Sequence, residues 1–266
     1  MAMSDALVTP AWRDGHVELG AVARAARSLS SGGVVGLPTE TVYGLAAVAR
    51  DRAAVARVFT IKGRPSDHPV IVHVAGAEDL RVWGAGVADY AVRLAEGLWP
   101  GPLTLVVPAA DDVPRSLTGG QDTVGLRCPA HPVALAVIDA AGPVAAPSAN
   151  RFGQVSPTNA GDVVADIGDR LDPARDLVLD GGACPVGVEA TILDCPGAAP
   201  RHTSTLVRKS PQSGRSTPCR PSRAATPRAS SRPLAVVPST RSSSVASIRS
   251  TWASPTPRRS SASPSS

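Results

Sequence analysis

Leu19–Leu37, LGAVARAARSLSSGGVVGL, reads as a helix, a stop and a strand. Leu19–Ser31 carries helical period. Gly32-Gly33 ends it, because glycine enters the left-handed conformation at little cost. Val34–Leu37 then reads as a buried strand. The same alternation continues outward along the chain to Cys195: helices over Ala53–Ile61, Ala88–Leu98, Pro132–Ala141 and about Asn159–Ile167. Between them lie strands over Val70–Val74, Leu103–Val107, Thr123–Cys128, Val144–Ala146, Leu177–Leu179 and Thr191–Leu193. Alternating helices and short β-branched runs predict an α/β domain around a mixed sheet.

Composition permits such a domain. Of 266 residues, 43% are apolar and only 3% aromatic, so branched aliphatics and alanine must fill the core. The formal charge of +5 and pI near 9.5 would suggest a polyanionic partner. That signal is local, however. All 22 acidic residues but only 15 of the 27 basic ones lie at or before Asp194, which leaves residues 1–194 near −7. Cys128, Cys184, Cys195 and Cys219 form no C-x-x-C pair and no zinc-spaced cluster. With no apolar leader and no run of membrane-spanning length, free thiols and a cytoplasmic location are expected, without membrane association.

Three segments follow: a lead-in over 1–18, an α/β domain over 19–209, and a Ser/Arg/Pro-rich tail over 210–266 expected to be disordered. The tail reads either as a natural basic extension or as the out-of-frame product of a GC-rich gene. The second reading is favoured, because family resemblance stops inside a motif, as described below.

Three stretches carry chemistry. Pro38-Thr39-Glu40-Thr41-Val42-Tyr43-Gly44-Leu45 is a hydroxyl- and carboxylate-bearing loop directly after a strand, where α/β folds bind ligands. Its plainer reading is a strand-to-helix turn capped by Thr39 or Thr41. Lys62-Gly63-Arg64-Pro65, ahead of Pro69-Val70-Ile71-Val72-His73, offers a point charge and a planar fork of donors suited to polyphosphate; the alternative is a solvated helix end. No Walker A loop or G-x-G-x-x-G is present. Ala146-Pro147-Ser148-Ala149-Asn150 with Ser156-Pro157-Thr158 supplies neutral donors and acceptors for a ribose, phosphate or base edge, or else a self-satisfied turn.

These stretches, together with Gly101-Pro102-Leu103-Thr104, Val124-Gly125-Leu126-Arg127-Cys128-Pro129, Asp180-Gly181-Gly182 and Gly187-Val188-Glu189-Ala190-Thr191-Ile192, occur in the order seen in YrdC-like threonylcarbamoyl-AMP synthases. Over about residues 19–209 the chain resembles that family. The resemblance implies a twisted mixed sheet flanked by helices, of the YrdC/RibB-like type, around a deep cavity. It also implies nucleotidyl transfer from ATP to a carbamate made from L-threonine and bicarbonate, for N6-threonylcarbamoyladenosine in tRNA. By the same resemblance Thr41, His73 and Arg127 hold threonine. Lys62, Arg64, Thr123, Ser148, Asn150, Ser156 and Arg208 hold the nucleotide, with Lys62 and Arg64 catalytic. Mg2+ is expected with ATP, with no metal ligands assigned in the protein; a threonylcarbamoyl transferase complex and tRNA are the expected macromolecular partners.

Departures from the family pattern are informative. His68 stands where Lys or Asn is more usual, and Ala190 replaces a serine whose hydroxyl would help bind threonine. Leu206-Val207-Arg208-Lys209 matches a hydrophobic-Arg-x-Gly segment until Ser210 takes the glycine's place. Two rival functions compete with this one. Carbamoyl adenylation, as in hydrogenase maturation, belongs to longer chains with zinc-finger and acylphosphatase modules. A non-catalytic RNA-binding protein would rely on the basic tail.

Overall fold

The computed structural model describes residues 6–197, 199 and 201–203. The expected tail over 210–266, Arg208 and Cys219 lie outside the described residues. In chain order the elements are β1 (Val8–Pro10), β2 (Trp12–Arg13), β3 (His16–Val17), α1 (Leu19–Ser30), β4 (Val35–Leu37), β5 (Gly44–Val48) and α2 (Arg52–Lys62). They continue with β6 (Ile71–His73), α3 (Asp79–Trp83), α4 (Asp89–Leu98), β7 (Leu103–Pro108), α5 (Arg115–Thr118), β8 (Thr123–Arg127) and α6 (Pro132–Ala141). The last are β9 (Val144–Ala145), α7 (Ala160–Ile167), β10 (Leu177–Asp180), β11 (Thr191–Asp194) and β12 (Arg201–Thr203).

Every helix and strand expected between Leu19 and Leu193 is present within a residue or two at each end. The lead-in over 1–18 contributes β1, which pairs in parallel with β10, and the short antiparallel pair β2–β3. The plainer reading of the first stretch, a strand-to-helix turn, is not met. The stretch through Leu45 does not turn into a helix: Gly44–Val48 returns as β5, antiparallel to β4. Gly-Leu-Ala-Ala-Val shows no polar alternation because residues 44–47 are buried, as in strands covered on both faces.

The sheet order is β1-β10-β4-β5-β9-β6-β8-β7-β11-β12, with parallel and antiparallel neighbours mixed. Period-two alternation sorts its side chains to two faces. Val35 and Leu37 of β4, with Leu177 and Leu179 of β10, pack under α1 and α6 through Ala25, Leu29, Val133 and Val137. Val34 and Val178 point the other way and join Val58 of α2 and Val163 of α7. A third cluster, around Val72, Leu105, Leu126, Phe59 and Trp83, fills the half of the sheet beyond β9. Side chains of this size stabilise by roughly 1.5–3 kcal/mol each when fully buried.

Helix α2 matters most for the site. Asp51 caps it by accepting from the backbone N–H groups of Ala53 and Ala54 at 2.9 and 3.0 Å. Gly63, at φ +62°, ends it in the left-handed conformation, so the chain turns between Lys62 and Arg64.

Candidate functional site

The loop between β4 and β5 is a hydroxyl-stapled turn. Thr39 Oγ1 donates to the Val42 carbonyl at 2.6 Å and accepts from the Thr41 and Val42 N–H groups at 3.2 Å, satisfying a buried backbone that no strand covers. Tyr43 continues the tie: its hydroxyl donates to the Gly182 carbonyl at 2.8 Å and accepts from the Gly181 N–H at 3.2 Å. Burial, the largest influence, pushes its pKa up, so it stays a neutral phenol.

Beside this turn opens a cleft of about 510 Å³ whose lining includes Thr39, Thr41, Arg64, Pro69, His73, Arg127, Ser148, Glu189 and Ala190. β6 and β8 are parallel neighbours, and their register sets His73 directly beside Arg127. Arg127 is 4% exposed. Its Nη2 donates to Glu40 Oε1 at 2.7 Å and to Thr41 Oγ1 at 3.0 Å, and its Nε to the Gly101 carbonyl at 3.3 Å. The other oxygen of Glu40 accepts from the Ala130 N–H at 3.0 Å. Burial, and then the charge of Arg127, lower the His73 pKa to about 3, so its imidazole is neutral near pH 7.

The other wall carries cations of a different kind. The Lys62 ammonium, only 2% exposed, donates to the carbonyls of Ser148 and Asn150. Burial, and next the neighbouring Arg64, lower its pKa to about 8. Arg64 donates through Nη2 to the Pro69 carbonyl at 2.9 Å, while its buried Nε has no partner among the described residues. Burial also lowers the Arg64 pKa. Arg64 and Ser148 line the cleft; Lys62 stands behind Ser148 and fixes the loop that presents it.

The structure therefore brings Thr41, His73, Arg127, Arg64 and Ser148 to one cleft. Among the described residues the other candidates, Lys62, Thr123, Asn150 and Ser156, are not in the lining, and Arg208 lies outside the described residues. Asn150 Nδ2 is used within its own loop, donating to the Arg151 and Gln154 carbonyls at 2.8 Å. Thr123 begins β8, opposite Pro108 and at the far end of the strand from Arg127. Ser156 is at the mouth, donating to Glu189 Oε1 at 2.6 Å. Two carboxylates escaped the sequence reading as site residues: Glu40, whose partner is 87 residues away, and Glu189, the carboxylate in the cleft lining. Both stood inside quoted motifs, but no spacing rule marks a contact at that separation.

A mixed α/β sheet with a cleft lined by a buried arginine, Arg127, and a second, Arg64, defines a class of domain whose cleft can pair with small anionic groups. The Sua5/YciO/YrdC family, described as "Telomere recombination", matches residues 27–210, and the chain belongs to this family. It is 47% identical over 171 residues to the threonylcarbamoyl-AMP synthase of Pyrococcus abyssi, covering 64% of this chain and 49% of that protein. It is 45% identical over 177 residues to the synthase of Bacillus subtilis, covering 65% and 50%. The solved structure of P. abyssi Sua5 complexed with L-threonine superposes with a TM-score of 0.67 at 43% identity, over 71% of this chain and 54% of that one. The chain spans about half the length of these relatives.

Proposed function

We propose that the chain is an L-threonylcarbamoyladenylate synthase, forming threonylcarbamoyl-AMP and pyrophosphate from L-threonine, bicarbonate and ATP. The observation that carries this reading is the convergence of Thr41, His73 and Arg127 on the same cleft as Arg64 and Ser148. The threonine complex of the Pyrococcus relative supports an amino-acid site in such a fold.

In this reading the threonine carboxylate pairs with Arg127, whose Nη2 and Nε are already fixed by Glu40, Thr41 and Gly101, which leaves Nη1 to face the ligand. Neutral His73 offers hydrogen bonds without adding a second positive charge. The threonine amine attacks the bicarbonate carbon, a C–N bond forms, and water leaves to give a carbamate. A carbamate oxygen then attacks the α-phosphorus; the bond to the bridging oxygen breaks and pyrophosphate departs with the electron pair. Arg64 at the cleft and Lys62 behind Ser148 stabilise the charge that develops on the phosphates. Holding the reactants together in one cleft supplies proximity and shields the carbamate from water.

Among the described residues no cluster of three His, Cys, Asp or Glu side chains has metal-site geometry. The donors present fit Mg2+ carried on the triphosphate, which typically needs only one or two carboxylates besides phosphate oxygens and water. Glu189, hydrogen-bonded to Ser156, is the candidate ligand, and the ion's contribution would be charge neutralisation. No helix among the described residues is long and apolar enough to cross a membrane. The reading places the reaction in the cytoplasm and hands the product to a transferase acting on tRNA.

The test is pyrophosphate release by the full chain with each substrate omitted in turn. The expected result is release that requires both threonine and bicarbonate. Release supported instead by carbamoyl phosphate would favour carbamoyl adenylation, and no release with any set would overturn the enzymatic reading.

A further inference from the structure

A nucleotide needs a place for its base as well as its phosphates, and the cleft lining offers no Phe, Tyr or Trp ring for one. One stands at its rim. Phe152 is 44% exposed, yet it is not carried on a loose loop. Its N–H donates to the Lys62 carbonyl at 2.8 Å, and the Gln154 N–H closes a turn on the Arg151 carbonyl at 3.0 Å. Gly153 at φ +83° allows that turn, and the Asn150 side chain bolts it from within. Arg151 anchors it to Asp166 and Asp169. A rigid mount that holds an apolar ring in solvent lets a ligand contact it with the ordering cost already met.

The ring rests against the phosphate-end motif and keeps much of its surface in solvent. The His68 imidazole meets it edge-on, with centroids 5.3 Å apart at 81°, and the Arg64 guanidinium carbon lies 5.8 Å from its centroid. Arg64 itself lines the cleft. The aromatic surface is thus continuous with the cation proposed for the phosphates.

We infer that Phe152, braced by His68, is the platform on which the nucleobase stacks, and that it biases the site toward purine nucleoside triphosphates. The inference rests on the proposal that the cleft takes a nucleotide. Stacking reads the π face and its area rather than base edges, so ATP should bind more tightly than CTP, with little distinction between adenine and guanine.

Calorimetric titration of the full chain with ATP, CTP and inorganic tripolyphosphate tests this. Phe152→Ala should weaken ATP by roughly 5- to 150-fold, leave tripolyphosphate unchanged and erase the preference over CTP. Phe152→Trp should retain ATP binding, and His68→Ala should cost less than Phe152→Ala. Equal losses for ATP and tripolyphosphate in Phe152→Ala would mean that the ring only steadies Arg64, and would overturn the inference, as would unchanged ATP binding. Wild-type protein that binds neither ATP nor tripolyphosphate would overturn the nucleotide reading itself, and the platform with it.

Discussion

Arg127 and Lys62 are both buried cations of the site region, and they are buried in opposite ways. Arg127 faces a carboxylate: Glu40 neutralises it at 2.7 Å and is itself held by a backbone N–H. Lys62 faces carbonyl oxygens of Ser148 and Asn150, which orient the ammonium without cancelling its charge. Burial therefore depresses the Lys62 pKa to about 8. One end of the site is rigid and electrically balanced, suited to a single carboxylate. The other keeps uncancelled positive charge, suited to a polyphosphate.

The balanced end should be the more fragile. Arg127→Ala leaves Glu40 buried without its counter-charge, and breaking such a pair costs about 3–5 kcal/mol. The expected outcome is a large fall in the urea midpoint together with loss of threonine-dependent pyrophosphate release. Combining Glu40→Gln with Arg127→Met should recover much of the stability and none of the activity. If Arg127→Ala unfolds like the wild type, the two ends do not differ as described.

At the uncancelled end the effect is smaller and confined to the nucleotide. Lys62→Met removes the donor from two carbonyls, at a cost of about 1–3 kcal/mol for groups left unsatisfied. It should raise the KM for ATP while that for threonine barely moves. The pH dependence follows from a folded pKa of about 8 against 10.5 in a free lysine. Between these values the unfolded chain holds the extra proton, so raising pH across this window relieves the burial penalty and favours the folded state. The ammonium is nevertheless lost as pH passes about 8, so ATP binding should weaken above that point. Lys62→Arg retains the charge and should push that limb upward. An ATP KM that stays flat through this range in the wild type would remove Lys62 from the nucleotide end.

The contrast between the two ends also marks what a sequence discloses. Helices α1 and α6 were legible because period and terminators agree: Gly32-Gly33 stops one, and Pro132 opens the other beside a capping His131. Strand β5 was not, because its apolar run lies inside a motif whose polar half reads as loop and because burial on both faces erases alternation. Helices α3 and α5, of five and four residues, are too short to show a period. Thr41, His73 and Arg127 stand out through motif order, and the register of β6 and β8 then explains why His73 and Arg127 are neighbours. The spending of Asn150 on its own loop, and the pairing of Glu40 with Arg127, are tertiary facts with no local mark.

The smallest effect probes the balanced end without breaking it. Ala190 is half-buried, lines the cleft and directly precedes β11, where the Thr191 N–H is fixed to the Pro102 carbonyl at 3.0 Å. Serine there adds one hydroxyl to a wall whose backbone is already positioned, so the substitution should fold normally and the gain is limited to a single neutral hydrogen bond. That is worth about 0.5–1.5 kcal/mol, or roughly 2- to 13-fold in threonine affinity. ATP affinity should not change if residue 190 belongs to the amino-acid end. Calorimetry with each ligand separately distinguishes the cases. Tighter threonine alone assigns residue 190 to the amino-acid end, tighter ATP assigns it to the phosphate end near Glu189, and no change in either removes it from ligand contact.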